Sequence, residues 1–183
     1  MFANAKEAIA VIVETKLVNK PAFLAVGLSE RVRLAGEKPS ENPIAKLWDR
    51  FNERTAEIPN QVGHRAYGLS SQADMEGPGG PFTYTAALGV EAFGELPEGF
   101  VKLDVPAALY AVVTYRGTID GIGEGFDYFW GAWLPEADYA YEGKYEFEFY
   151  DQRFRGRFDP ISEVDLYFPV VPRSGAEPST AAR

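Results

Sequence analysis

The residues best suited to chemistry sit together in Tyr145-Glu146-Phe147-Glu148-Phe149-Tyr150. Strand alternation puts Phe147 and Phe149 on one face and Glu146, Glu148 and Tyr150 on the other. If the phenylalanines pack under helices, both carboxylates point into a cleft, where a shielded acid pairs with a cation or moves a proton. The plainer reading is a solvated strand face with two inert carboxylates, and the pattern leaves both open. Asp120-Gly121-Ile122-Gly123-Glu124-Gly125 is the next feature. Its glycines lack the G-x-G-x-x-G spacing, no Lys-Ser/Thr follows, and Asp120 and Glu124 would repel a phosphate. It reads as a close-packed start to a helix. His64 reads as a surface polar group, with haem ligation a remote alternative. Trp48 and Trp130 read as core residues or, where partly exposed, as cleft walls. Tyr67, Tyr84 and Tyr115 lie on strands whose facing stays open.

Composition removes other chemistries. The chain has no cysteine and one histidine, which excludes thiol nucleophiles, disulfides, thiolate zinc sites and any mechanism needing two imidazoles. No G-x-S-x-G elbow accompanies His64, and no metal or cofactor is expected. Eighteen Lys+Arg against 27 Asp+Glu leave a net charge of −9. That field repels nucleic acid and anionic lipid and mildly concentrates cations, so no direct nucleic-acid or membrane partner is expected. The N-terminus lacks a signal-peptide pattern and no run of 18 apolar residues exists, so the expected location is cytoplasmic.

The elements that must position these residues follow from periodicity. Asn42 and Pro43 start a helix with apolar Ile44, Leu47, Trp48, Phe51 and Ile58, ended by Pro59. A second helix runs from Asp120 through Ile122, Phe126, Phe129, Trp130 and Trp133 to Pro135. Strands are expected at 10–18, 22–28, 65–72, 82–91, 109–117, 145–150 and 163–171, with a turn at Asn19-Lys20-Pro21. On the fourth, Phe82, Tyr84, Ala86, Leu88 and Val90 share a face. Each half holds a strand, a Trp-bearing helix and two more strands, with Leu24 aligned to Tyr110 at an offset of 86 and Trp48 to Trp130 at 82. The fold class is therefore α+β: a duplicated β-α-β-β repeat forming a curved, mostly antiparallel sheet with two helices on one face. Half-repeats of about 8–91 and 107–172, a connector at 92–106 and a disordered tail at 173–183 make a single domain over 1–172. Two helices cover only one sheet face, so the other is closed by curvature, by a partner, or left as a cleft.

Trp130-Gly131-Ala132-Trp133-Leu134-Pro135, then Phe147-Glu148-Phe149-Tyr150, then Phe168-Pro169-Val170 resemble the GyrI-like effector-binding domain, with KLWDRF (46–51) and RAYG (65–68) in the first half. The resemblance covers about residues 8–172. It implies a pseudo-two-fold cleft between the halves that binds hydrophobic, often cationic, small molecules. The family's acidic residue matches Glu148, and its aromatic walls match Tyr67, then Tyr150, Trp48 and Tyr84. Such domains occur alone and at the C-terminus of multidrug-sensing transcription regulators, and no DNA-binding segment precedes residue 10 here.

A stand-alone module that senses or sequesters lipophilic cations is the expected function, with Glu148 as charge partner. Glu146 lies beside it, and Tyr67, Tyr84, Tyr150, Trp48 and Trp130 are the candidate walls. Two alternatives stay open. One is a hydrolase of reactive small molecules in which Glu148 is the catalytic acid or base beside a tyrosine hydroxyl. The other is a protein-interaction module such as a gyrase inhibitor; a protein partner or homodimer is likewise left open.

Overall fold

The computed structural model describes residues 11–33, 42–72, 75, 77 and 80–174. Strand β1 (Val11–Lys20) runs through Pro21-Ala22 into β2 (Phe23–Val32). Helix α1 (Pro43–Asn52) follows, then β3 (Gln61–Ser71), β4 (Phe82–Val90), β5 (Val101–Val105) and β6 (Ala108–Arg116). A helical stretch then comprises a 3-10 turn (Ile119–Gly121), α2 (Gly123–Tyr128), a π-helical segment (Phe129–Trp133) and α3 (Leu134–Glu136). Strands β7 (Tyr139–Tyr141), β8 (Tyr145–Tyr150) and β9 (Glu163–Pro172) complete one antiparallel sheet. Its order is β1-β6-β9-β8-β3-β4-β2-β5, with β7 on the C-terminal part of β9.

The turn after Lys20 does not make a hairpin. β1 pairs with β6 of the second half, whereas β2 pairs with β4 and β5 of the first. The expected connector contains β5, whose alternation buries Leu103 and Val105 and exposes Lys102 and Asp104. Each half thus lends its first strand to the other. Lys20 opposes Ala108 and Phe23 opposes Val105, so the repeat offset there is 85 residues (Lys20 to Val105, Phe23 to Ala108), one less than the expected alignment. Pro21 and Pro106 occupy equivalent links, where a missing N–H breaks no ladder.

Those links fix the sheet's shape. β1 and β2 stand six places apart in strand order yet are joined by two residues, which span only ~10 Å. The sheet must curl until its ends meet. The inner face closes around Ala25, Tyr67, Leu69, Ala87, Leu103, Tyr110, Val112 and Phe147, drawn from both halves. Curvature is thus what covers the helix-free face.

Asn42 caps α1 by accepting a hydrogen bond from Ile44 N at 2.9 Å. The helix ends at Asn52, short of Pro59; Ile58 reaches the same core from beyond a 3-10 turn. Leu47 and Phe51 pack on Val26, Tyr84, Ala86 and Val90, so the expected face of β4 is the one α1 covers. The second helical stretch does not stop before Pro135. A proline needs no N–H donor in a first turn, and Pro135 lies inside α3. Phe129 stacks on Phe168 at 3.8 Å, and Gly125 admits the helix so closely that a Cβ there would strike Leu166. Arg173, expected in the tail, donates to Tyr139 O at 2.9 Å; residues 175–183 lie outside the described part. Among the described residues, no helix is long and apolar enough to cross a membrane.

Candidate functional site

Strand β8 separates its side chains as alternation requires, with the faces opposite to the expected arrangement. Phe147 and Phe149 enter the curled inner face, away from the helices. Glu146, Glu148 and Tyr150 point to the helix-bearing side. The carboxylates nonetheless reach a cleft, because the cleft lies between the two helical stretches and not on the helix-free face. Its cavity is about 840 Å³. Ile44 and Trp48 of α1 form one wall, Ile119, Ile122 and Phe126 the opposite one, and β3, β4 and β8 the floor.

The floor is shaped by a size contrast across β3 and β8. Ala66, Gly68 and Ser70 oppose Tyr150, Glu148 and Glu146 respectively. Tyr84, opposite Ser70 on β4, lays its ring over Gly68 towards Glu148. A Cβ at Gly68 would collide with the Tyr84 hydroxyl and the Glu148 carboxylate, so only glycine leaves room for their contact.

Glu148 Oε2 accepts hydrogen bonds from Tyr84 Oη at 2.8 Å and Tyr150 Oη at 2.7 Å. Trp48 Nε1 donates to Tyr84 Oη at 3.0 Å, and the Trp48 ring meets Tyr150 edge-on at 5.3 Å. Burial raises the Glu148 carboxyl above the ordinary range, against the pull of the two hydroxyls. Burial and the neighbouring Glu148 charge push both tyrosines well up, so they remain protonated donors. Glu146 Oε2 accepts from Tyr141 Oη at 2.8 Å. Burial pushes Glu146 up to about 7, opposed by the Tyr141 hydrogen bond and reinforced by Glu148. Arg157 is the one basic residue among the described lining, and it donates to Asp120 at 3.0 Å. The described wall thus combines aromatic rings, two shielded acids and one base that is ion-paired to Asp120 through one Nη while its buried Nε has no partner among the described residues.

The family model for the GyrI-like small-molecule binding domain matches residues 14–171. The chain belongs to this family. It is 38% identical over 156 residues to the transcriptional regulator BrlR of Pseudomonas aeruginosa, covering 85% of this chain and 54% of the regulator. The chain therefore spans about half the length of that relative. The C-terminal domain of EcmrR superposes with a TM-score of 0.67 at 16% identity, covering 87% of this chain and 98% of that one. SAV2435 bound to tetraphenylphosphonium gives a TM-score of 0.65 at 14% identity, covering 87% and 94%. At these identities the structural likeness establishes the fold.

Within this GyrI-like domain, Trp48, Tyr84, Glu146, Glu148 and Tyr150 meet at one cavity. Two candidates do not. Tyr67 is 2% exposed on the inner face, stacked on Phe23 at 4.6 Å, because it alternates with Ala66 and Gly68 on β3. Trp130 lies outside the cavity, 46% exposed, against Tyr141 at 4.7 Å. His64 is an exposed residue of β3, and Tyr115 is core, donating to Thr118 O at 2.8 Å. Sequence reading missed Tyr141, Gly68, Phe126 and Phe154. Tyr141 lies on a three-residue strand with no periodic signal, and a lone strand glycine marks a close approach without naming what approaches.

Proposed function

We propose that this domain binds lipophilic organic cations between its helices, with Glu148 as the charge partner and Tyr84, Tyr150 and Trp48 as the aromatic surround. The observation that carries the reading is the single carboxylate oxygen held by two tyrosine hydroxyls at the floor of an aromatic cavity. Two donors keep Glu148 in one orientation, so little further ordering is needed when a ligand arrives. A delocalised cation replaces lost hydration with charge pairing, and ring faces add about 0.5–2 kcal/mol each. The tetraphenylphosphonium held by SAV2435 is a ligand of this chemistry.

The test is titration with tetraphenylphosphonium and with neutral triphenylphosphine oxide, following tryptophan fluorescence. The cation should bind at least about tenfold more tightly, and Glu148→Gln should abolish that preference while retaining the neutral compound. Equal binding of both by the unaltered protein would overturn the charge-pairing role. Turnover of an electrophilic probe that Glu148→Gln abolishes would replace binding with the hydrolase reading.

A further inference from the structure

We propose that the cavity selects ligands with two cationic centres, one paired with Glu148 and the second with Glu146. This rests on the cation-binding reading and narrows it to a ligand class. The two carboxylates sit two residues apart on β8, both lining the cavity, which sets their backbone positions ~6.5–7 Å apart. That spacing suits two charges on a short rigid scaffold better than one diffuse charge.

Each carboxylate keeps an open acceptor. Glu148 Oε2 takes both hydroxyls of its tyrosine pair and Glu146 Oε2 takes Tyr141; among the described residues nothing donates to either Oε1. The tyrosines come from three different strands, β4, β7 and β8, so the two acids have separate supports. Glu146 is not merely a spare partner for the Glu148 site.

Charge balance points the same way. The lining also carries Asp49 from α1, Asp120 from the 3-10 turn and Asp127 from α2, all exposed at the rim, against one base, Arg157, which pairs with Asp120 through one Nη and leaves its buried Nε without a partner among the described residues. A monocation paired with Glu148 leaves Glu146 shielded and uncompensated, so Glu146 must hold a proton or bear the cost of an unpaired charge. A dication neutralises both. Burial and Glu148 push the Glu146 carboxyl up, a measure of what its charge costs while no cation stands beside it.

A matched pair of probes tests this: N,N′-dimethyl-4,4′-bipyridinium and N-methyl-4-phenylpyridinium, which share a biaryl shape and differ by one charge. At pH 8 the dication should bind about tenfold or more tightly than the monocation. Glu146→Gln, whose amide oxygen still accepts from Tyr141, should erase that advantage by weakening the dication, while the monocation, freed of the uncompensated acid, binds no more weakly than before. Calorimetry near pH 7 should also show proton uptake when the monocation binds, and release of about half a proton when the dication displaces it from Glu146. A dication no tighter than the monocation, or equal weakening of both by Glu146→Gln, overturns the two-charge proposal while cation binding stands. Binding of neither probe removes both.

Discussion

The two faces of strand β8 use the same kinds of residue to opposite ends. On the inner face, Phe147 and Phe149 join Phe23, Tyr67, Tyr110 and Tyr167 in a closed aromatic core. That face brings its own cation: Lys20 Nζ lies 4.9 Å from the Phe23 ring centroid and within 6 Å of Tyr67, Phe149 and Tyr167. On the helix side, aromatic rings surround an acid, and the one basic residue of the described wall, Arg157, is ion-paired to Asp120. The inner box holds its own cation, although burial and the neighbouring Arg65 charge lower the Lys20 ammonium from its usual range. On the proposed reading, the outer box takes its cation from a ligand.

Substitutions on each face should separate these roles. Phe147→Ala removes a ring at the centre of the inner core and should cost about 3–5 kcal/mol of stability, read by denaturant unfolding. Its folded fraction should keep unaltered cation affinity; a parallel loss of affinity would mean the faces are not independent. Gly68→Ala should cost about 1–3 kcal/mol through overpacking and also weaken cations, because the new methyl displaces the Tyr84 hydroxyl from Glu148. Retention of full cation affinity would show that the Tyr84 contact is dispensable.

Glu146→Gln should act on stability with a distinctive pH profile. An acid raised to about 7 in the folded protein, and near 4.5 unfolded, binds an extra proton in the native state between those values. Native stability therefore falls as pH rises through that window. The glutamine variant should match the parent near pH 4.5 and exceed it at pH 8 by about 1–3 kcal/mol, seen as a higher melting temperature. An equal offset at both pH values would assign the effect to packing. The smallest change belongs to Lys20→Met, which loses cation–π attraction but relieves a half-buried charge. Stability should move by less than about 1 kcal/mol and ligand affinity should stay constant.

Much of the fold was legible because it rests on local rules. The Asn42-Pro43 start, the extent of β8 and the shared face of β4 follow from capping and period-two alternation, which depend on neighbours in the chain. The shared face of Glu146, Glu148 and Tyr150 follows from the same alternation, whereas Trp48 and Tyr84 were named as cleft walls through the family resemblance. Tyr67, named through the family resemblance, lies away from the cavity, and alternation could not show this because it states which residues share a face and not which face holds the cavity. The strand exchange was illegible too. Pro21 and Pro106 mark turns, but whether the next strand pairs with its neighbour or with the far half depends on contacts some 85 residues away.

By itself, the sequence determined a duplicated α+β chain rich in aromatic residues, short of positive charge, with two acids alternating with two phenylalanines. Tertiary structure alone decided that the sheet curls over the phenylalanines and leaves the acids between the helices. Burying a strand face is a property of the whole sheet. The inner face closes because the two short proline links draw its ends together, and the outer face stays open because α1 and the second helical stretch sit above different strands.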